Sequence, residues 1–261
     1  MVVDSNLKSL LESFKHEDGV KTRVIKVEKP KKVTRRKVNK DYDGCQDLPP
    51  SLAKNLTVLF IGFNPGVESS KVQHHYAHFS NLFWKLFNQA KVLSTVIEKD
   101  KIEQDDLVGK LLKNGAKPEH DYELAKYNIG FTDLVLRCTK SAQELTMDEK
   151  IANVPRLIEE FNYSNAKFIV FIGKGIWEII VKYLTKQVGI KFVLTTKNFK
   201  WGLQHSVDDS VYQKILKTLY TSIPSNSRVY VFPNTSGLVT SMNFNQKLQL
   251  WQTLVDDITE N

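Results

Sequence analysis

The sequence predicts an α/β protein with one three-layer α/β/α domain built around a central, mainly parallel β-sheet. Short apolar runs that end in glycine or polar turns alternate with longer segments of helical periodicity, as in βαβ units. A chain of 261 residues with 41% hydrophobic residues is long enough to bury one good core. It shows no internal repeat, so we expect a single globular domain.

The strands are predicted where an apolar run lacks helical periodicity and ends in a turn. Buried strands are expected at 56–62, 167–173 and 228–232, with weaker candidates at 129–134 and 191–194. Helices are expected at 81–93, 147–161, 177–186, 207–221 and 243–258.

Two further features refine these elements. Thr146, followed three residues later by Glu149, is typical of a capping box at a helix start. Residues 96–121 are polar and charged, and we expect them to form an insertion at the surface.

Positive charge is concentrated near the N-terminus. The chain carries a formal net charge of +8, and residues 20–40 hold ten Lys or Arg against one acid, Glu28. We expect residues 1–50 to form a basic, disordered arm and residues 51–261 to form the folded domain. The arm suits nonspecific phosphate contact and nuclear import, or it is simply a solvated tail. Its candidate DNA contacts are Lys31, Lys32, Arg35, Arg36 and Lys37.

Composition excludes several classes of protein. No apolar run approaches the length of about 20 residues needed to span a bilayer, and no signal peptide is recognisable. Cys45 and Cys138 are too few for an iron–sulfur cluster and are expected to be reduced thiols. His74, His75 and His78 cluster, but no cysteine or carboxylate stands nearby to complete a metal site. We therefore expect an intracellular protein without metal or cofactor.

Three segments carry the most specific signal. Residues 58–66 read VLFIGFNPG, so a buried strand delivers Asn64 to a tight turn. Residues 75–85 read HYAHFSNLFWK, and residues 229–238 read VYVFPNTSGL. Ligands of open parallel sheets bind outside the carboxyl ends of the strands, where two of these segments turn.

Together these segments resemble the mismatch-specific uracil/thymine DNA glycosylases of the uracil-DNA glycosylase superfamily, from about residue 56 onward. The resemblance implies a uracil-DNA glycosylase-like fold, with residues 51–261 as the catalytic domain. It also implies that Asn64 is catalytic. An amide is no general base, but it can hold a water molecule, which suffices when the bond to the nucleobase breaks ahead of attack.

The resemblance also implies a pocket for an extrahelical base. Tyr76 lies twelve residues after Asn64, where the family places the aromatic residue that stacks on the flipped base. Phe63, His75 and Phe131 are expected beside the same base. Ser69 matches a serine of the uracil-preferring members, and its hydroxyl would disfavour the methyl group of thymine.

The third segment resembles the family's wedge, which fills the hole left in the DNA stack. Leu238 is expected to be the plug, with the backbone around Ser236 and Gly237 facing the orphaned base and Asn234 starting the segment. Thr235 replaces a proline, and Val239-Thr240 stands where many members carry an arginine. Lys174, in the Gly-Lys-Gly turn after the 167–173 strand, is expected at a DNA phosphate. That turn lacks the P-loop pattern.

These observations predict a monofunctional enzyme that hydrolyses uracil from G·U mismatches in double-stranded DNA and leaves an abasic site. Thymine or other damaged pyrimidines are possible further substrates. We expect a nuclear monomer whose partner is duplex DNA containing a mismatched or damaged base, with no membrane association. A catalytically silent DNA-damage-binding protein of the same fold is the main alternative. A Rossmann-type cofactor enzyme is a third, although the Gly-x-Gly-x-x-Gly pattern is absent.

Overall fold

The structure, a computed structural model, describes residues 45–205, 210–237 and 242–261. All of them belong to one compact unit. Among these residues no helix is both long and apolar enough to cross a bilayer. The basic arm, including Lys31, Lys32, Arg35, Arg36 and Lys37, and the predicted plug Leu238 lie outside the described residues.

Five strands form one sheet in the order β2-β1-β3-β5-β4, and β1, β2, β3 and β5 are parallel. The short β4 pairs antiparallel with β5 at one edge. The strands are β1 (Val58–Gly62), β2 (Ile129–Asp133), β3 (Phe168–Ile172), β4 (Gly202–Leu203) and β5 (Arg228–Phe232). The predicted α/β class and mainly parallel sheet are confirmed.

Nine α-helices are described, and most of them connect the parallel strands. They are α1 (Val67–Val72), α2 (Phe83–Gln89), α3 (Val92–Asp100), α4 (Asp106–Asn114), α5 (Met147–Ala152), α6 (Val154–Ser164), α7 (Lys174–Val188), α8 (Ser210–Tyr220) and α9 (Phe244–Glu260). The side chain of Thr146 accepts a hydrogen bond from the Glu149 amide at the start of α5, so half of the predicted capping box forms, while the Glu149 carboxylate binds Arg137.

Strand alternation divides the core into two layers, one on each face of the sheet. Along β1, Val58 and Phe60 face a layer that contains α2, α3, α4 and α9. Leu59 and Ile61 face the other layer, which contains α6, α7 and α8. Both faces are therefore covered by helices, which explains why β1, β2 and β3 are buried along their whole length.

Two predicted helices are each divided in two. Lys91 adopts a left-handed conformation (φ 62°) between α2 and α3. Asn153 separates α5 from α6, and Pro155 follows within the first turn of α6. Proline favours the first turn of a helix but cannot continue one, so this break follows from its missing N–H.

Two other expectations are wrong. Residues 191–194 form no strand, because Gly202–Leu203 occupies the edge beside β5 instead. Residues 96–121 are more than a surface insertion: Val108 and Leu111 of α4 enter the core, and Asp121 is fully buried.

The ring of Phe60 is the centre of the aromatic layer under β1. It contacts Phe83, Phe131 and Trp251 with ring centroids 5.1, 5.9 and 5.4 Å away. Phe60→Ala should lower the free energy of unfolding by about 3–5 kcal/mol, because it removes buried area and leaves a cavity. Urea denaturation measures this loss. The exposed Tyr163→Ala serves as control, and an equal loss in both variants would contradict the central role of Phe60.

Candidate active site

The carboxyl ends of the four parallel strands meet at one edge of the sheet, and polar residues follow or end each of them. Asn64 follows β1, Asp133 ends β2, Lys174 begins the helix after β3, and Asn234 follows β5. In open α/β sheets this edge is where ligands bind. The residues that the sequence singled out at three of these turns thus share one edge.

The side chain of Asn64 is held by the segment that follows β2. Its amide Nδ2 donates to the carbonyl oxygen of Arg137 (3.1 Å), to Thr139 Oγ1 (2.8 Å) and to its neighbour Pro65 (3.2 Å). Two carbonyl acceptors fix which end of the amide is NH₂. No described residue donates to Oδ1, so Asn64 presents a fixed acceptor that can receive a hydrogen bond from a water molecule.

A buried carboxylate orients the His74-His75 pair. Asp121 accepts hydrogen bonds from the His75 backbone N–H (2.7 Å), from His75 Nδ1 (2.7 Å) and from His74 Nδ1 (2.8 Å). Burial raises the pKa of Asp121, but these hydrogen bonds and the charge of His75 outweigh it and hold the pKa below its usual value. In the neutral form of His75 the proton therefore lies on Nδ1, which faces Asp121. Its Nε2 is buried and has no hydrogen-bond partner among the described residues.

Tyr76 lies flat against the aromatic layer. Its ring stacks on Phe83 with centroids 3.9 Å apart and planes 2° apart, and its backbone is left-handed (φ 54°). The hydroxyl is buried and, like His75 Nε2, finds no hydrogen-bond partner in the described chain. Burial, with a smaller contribution from the charge of Asp133, raises the pKa of Tyr76 well above its usual value, so the phenol keeps its proton.

Asp133 completes this group, and the sequence analysis missed it. It is 5% exposed, and strand alternation places it on the same face of β2 as Phe131. Gly62 makes room for it: a Cβ there would lie 2.0 Å from Asp133 Oδ1 and 3.2 Å from the Tyr76 hydroxyl. Burial raises the pKa of Asp133 to about 6, against the opposing charges of His75 and Arg156.

We name His75, Tyr76 and Asp133 the polar cluster. Two of its members carry buried polar atoms without a partner, and the third is a carboxyl group that receives no hydrogen bond from the described residues. Buried polar groups are almost always paired in folded proteins, so such a concentration at the ligand-binding edge indicates a site for a polar ligand. An imidazole, a phenol and a carboxyl group can together match a ring that bears both hydrogen-bond donors and acceptors.

The rings of two predicted base-binding aromatics, Phe63 and Phe131, pack against other parts of the protein. Phe63 follows Leu59 and Ile61 in the strand alternation, so its ring lies on their face of the sheet and not on the face of Phe60. The ring packs near Gly175, and Lys150 Nζ lies 5.3 Å from its centroid. Phe131 is fully buried behind His75, with ring centroids 5.7 Å apart. Phe131 thus supports the imidazole from behind.

Ser69 is buried in α1, and its Oγ accepts a hydrogen bond from the Ala77 backbone N–H at 3.1 Å. This contact places the hydroxyl beside the residue that follows Tyr76. The structure therefore brings Ser69 next to the polar cluster through the backbone of the intervening loop.

The segment Asn234–Gly237 is anchored at several points. The carbonyl of Asn234 accepts from the buried Lys247 Nζ (2.8 Å), and its Oδ1 accepts from the Ser236 N–H (2.8 Å). The carbonyl of Thr235 accepts from the backbone N–H of Leu82 (2.8 Å). These contacts fix the segment up to the last described residue before Leu238.

Lys174 begins α7 at the same edge, but its charge is already engaged. Its Nζ lies 3.2 Å from Glu178 Oε1 and 5.2 Å from the centre of the Phe199 ring. The structure thus shows an ion pair where the sequence analysis expected a phosphate contact. A phosphate would have to compete with Glu178 for this ammonium group.

The two cysteines meet beneath the Asn64 turn. Cys138 lies between the two residues that hold the Asn64 amide, and its Sγ is 3.0 Å from Cys45 Sγ. Burial, followed by the contact with Cys45, raises the pKa of Cys138 to about 11. Across residues 45–205, 210–237 and 242–261, no three His, Cys, Asp or Glu side chains are grouped to hold a metal ion.

The chain is similar to known proteins over most of its length. Residues 49–255 match the family model of the uracil DNA glycosylase superfamily. The chain is 27% identical over 265 residues to the G/U mismatch-specific uracil DNA glycosylase of Schizosaccharomyces pombe, in an alignment that covers 98% of this chain and 69% of that protein. A solution NMR structure of a candidate uracil DNA glycosylase from Methanosarcina acetivorans superposes with a TM-score of 0.41 at 18% identity, covering 82% of this chain and 97% of that one.

The raised pKa of Asp133 makes stability depend on pH in a definite direction. Since the folded-state pKa lies near 6, above that of the unfolded chain, the carboxyl stabilises the fold below about pH 4 and loses this contribution as pH rises through about 6. Asp133→Asn stays neutral at every pH. Relative to the wild type, it should gain up to about 3 kcal/mol of unfolding free energy between about pH 4 and pH 7.

Urea denaturation of both proteins across this pH range measures the effect. The exposed Asp47→Asn is the matched control and should follow the wild type. If the difference between Asp133→Asn and the wild type were the same at every pH, the carboxyl would not carry a raised pKa.

Proposed function

The chain belongs to the uracil DNA glycosylase superfamily, and from this premise we propose that it hydrolyses the N-glycosidic bond of uracil in G·U-mismatched double-stranded DNA, leaving an abasic site. This membership confirms the resemblance found in the sequence. The observation that carries the proposal is the arrangement at the carboxyl edge: the fixed amide of Asn64 with its free Oδ1, next to the polar cluster. The similarity to a glycosylase named for G/U mismatches supports the choice of substrate.

Asn64 orients the water molecule that attacks the sugar carbon in this reaction. A water molecule that donates to Oδ1 keeps a lone pair for the sugar carbon, and the hydrogen bonds of Nδ2 to Arg137 and Thr139 prevent the amide from turning away. No general base is required when the bond to the base breaks first, since the developing sugar cation is a strong electrophile. Catalysis then rests on aiming the water and stabilising the departing base.

The polar cluster holds the base flipped out of the duplex. Uracil presents two carbonyl acceptors and one N–H donor, which the imidazole, phenol and carboxyl groups can match. A protonated Asp133 donates a hydrogen bond, whereas its carboxylate would repel the uracil anion that forms on bond cleavage. The raised pKa of Asp133, about 6, makes the protonated carboxyl more accessible than in an ordinary aspartate. Stacking of the base on an aromatic ring such as Tyr76 contributes about 1–3 kcal/mol.

The DNA-contacting parts of the proposal involve the described segment Asn234–Gly237 and residues that lie outside the described part of the chain. Leu238 fills the space vacated by the base, the segment Asn234–Gly237 faces the orphaned guanine, and the arm residues 31–37 grip phosphates nonspecifically. The basic arm also directs the protein to the nucleus, where it acts as a monomer. The proposed reaction uses no Schiff-base lysine and stops at the abasic site.

Ser69 sets the preference for uracil over thymine. Its hydroxyl, held beside Tyr76 by the Ala77 N–H, leaves no apolar space for the methyl group on C5 of thymine. Ser69→Ala should raise the rate of thymine release from G·T relative to uracil release from G·U by about 10-fold. Single-turnover rates on the two duplexes measure this ratio. Ser70→Ala, which loses a similar hydrogen bond to Gln46, is the control and should leave the ratio unchanged.

Asn64→Ala tests the proposed mechanism directly. It should slow uracil release from a G·U duplex by about 100-fold or more, because the attacking water loses its position, while duplex affinity changes little. Single-turnover assays measure the rate of uracil release, and equilibrium binding measures the affinity for the duplex. Asn245→Ala, which truncates an exposed asparagine on α9, should release uracil at the wild-type rate. Equal rates in Asn64→Ala and the wild type would refute the mechanism.

A further inference from the structure

Phe79 is an aromatic ring presented to solvent close to the candidate site. It is 93% exposed, more than any other large apolar side chain in the described chain. It follows Tyr76 by three residues. A single exposed apolar side chain is common on protein surfaces, so the significance of Phe79 depends on where it lies and how its turn is held.

The exposure of Phe79 is built into a defined turn. The His78 carbonyl accepts from the Asn81 N–H (2.8 Å), and His78 Nδ1 contacts Ser80 Oγ (2.9 Å) and accepts from the Ser80 N–H (3.3 Å). The imidazole also stacks against the Phe79 ring, with centroids 4.6 Å apart. The backbone of residues 78–81 is thus pre-organised, and the ring is held by its neighbour in an outward position.

The same turn is locked to the segment Asn234–Gly237. The Leu82 N–H donates to the Thr235 carbonyl, and Gly237 approaches Ser80 so closely that a Cβ would lie 2.7 Å from the Ser80 carbonyl oxygen and Oγ. Gly237 is exposed and immediately precedes the predicted plug. The Phe79 turn and the start of the wedge therefore form one continuous surface.

We propose that Phe79 is a second DNA-inserting side chain, which stacks on a base of the duplex next to the nucleotide held in the pocket. This inference rests on the proposed function and deepens it by naming a further residue that recognises duplex DNA. Aromatic wedges that enter between base steps unstack and bend the duplex, and base–aromatic stacking is tolerant of sequence. Insertion at this point would also compensate for the arginine that is absent after Leu238.

The hydrogen bonds of His78 leave it able to make a polar contact with the DNA backbone, in addition to the apolar contact of Phe79 with the bases. Because Nδ1 accepts from Ser80, the proton of the neutral imidazole lies on Nε2, on an exposed side chain. This N–H can donate to a phosphate oxygen while the neighbouring ring enters the stack. One turn thus offers an apolar group for the bases and a polar group for the backbone.

The test compares Phe79→Ala and Phe79→Trp with the wild type for binding to a G·U duplex whose uracil carries a 2′-fluorine that blocks cleavage. Phe79→Ala should weaken affinity by about 10-fold, and Phe79→Trp should keep it, because both rings offer a π-face. The ratio between wild type and Phe79→Ala should not change with salt concentration, since stacking releases no counterions. Tyr163→Ala, which truncates a 55% exposed ring on α6, should bind like the wild type.

Wild-type affinity in Phe79→Ala would overturn the proposal. So would an equal loss in the Trp variant, or a ratio that falls to one at high salt. Because Phe79 is exposed, its variants should keep the wild-type melting temperature, and this is measured alongside. If the wild-type protein released no uracil, the proposed function would fail, whereas the binding comparison on the uncleavable duplex would still decide the role of Phe79.

Discussion

The pairing of Gly62 with Asp133 at the ends of β1 and β2 is the constraint on which the site depends. These residues are direct partners in the parallel register, and the Asp133 carboxyl occupies the space where any other residue at position 62 would carry its Cβ. The missing side chain lets a carboxyl group and the Tyr76 hydroxyl lie side by side beneath the carboxyl edge of the sheet. The same strand then continues into the turn that carries Asn64, so one segment positions both the Asn64 amide and the space that Asp133 and Tyr76 share.

Two buried carboxyl groups near His75 have opposite electrostatic roles. Asp121 receives three hydrogen bonds from His74 and His75, which keep it ionised and fix the imidazole. Asp133 receives none from the described residues, and burial raises its pKa to about 6. Environments that push two similar groups apart in pKa are a recurrent device of active sites. Here Asp121 holds the imidazole of His75 in place, and the pKa of Asp133 lies above that of an ordinary aspartate.

Much of the fold could be predicted from the sequence, because buried parallel strands leave apolar runs that are hard to mistake. The fold class, four strands and the Asn64 turn were confirmed in this way. The breaks that divide two predicted helices at Lys91 and Asn153 each depend on the conformation of one residue. The apolar periodicity of the sequence continues through both positions, so it does not show the breaks. Asp121 was missed because it lies in a polar stretch of sequence. Asp133 was missed because a single acid at the end of a strand can be recognised as a site residue only from its three-dimensional neighbours.

The most direct test is the single-turnover release of free base from otherwise identical DNAs that carry G·U, A·U, G·T or single-stranded uracil. Because the held amide of Asn64 lies at the same sheet edge as the unpaired polar atoms of His75 and Tyr76, we predict release of uracil from G·U well above A·U, with an abasic site as the other product. Thymine release from G·T should be much slower. Tight binding to the G·U duplex without release of any base would contradict the account and assign the protein to noncatalytic binding of damaged DNA.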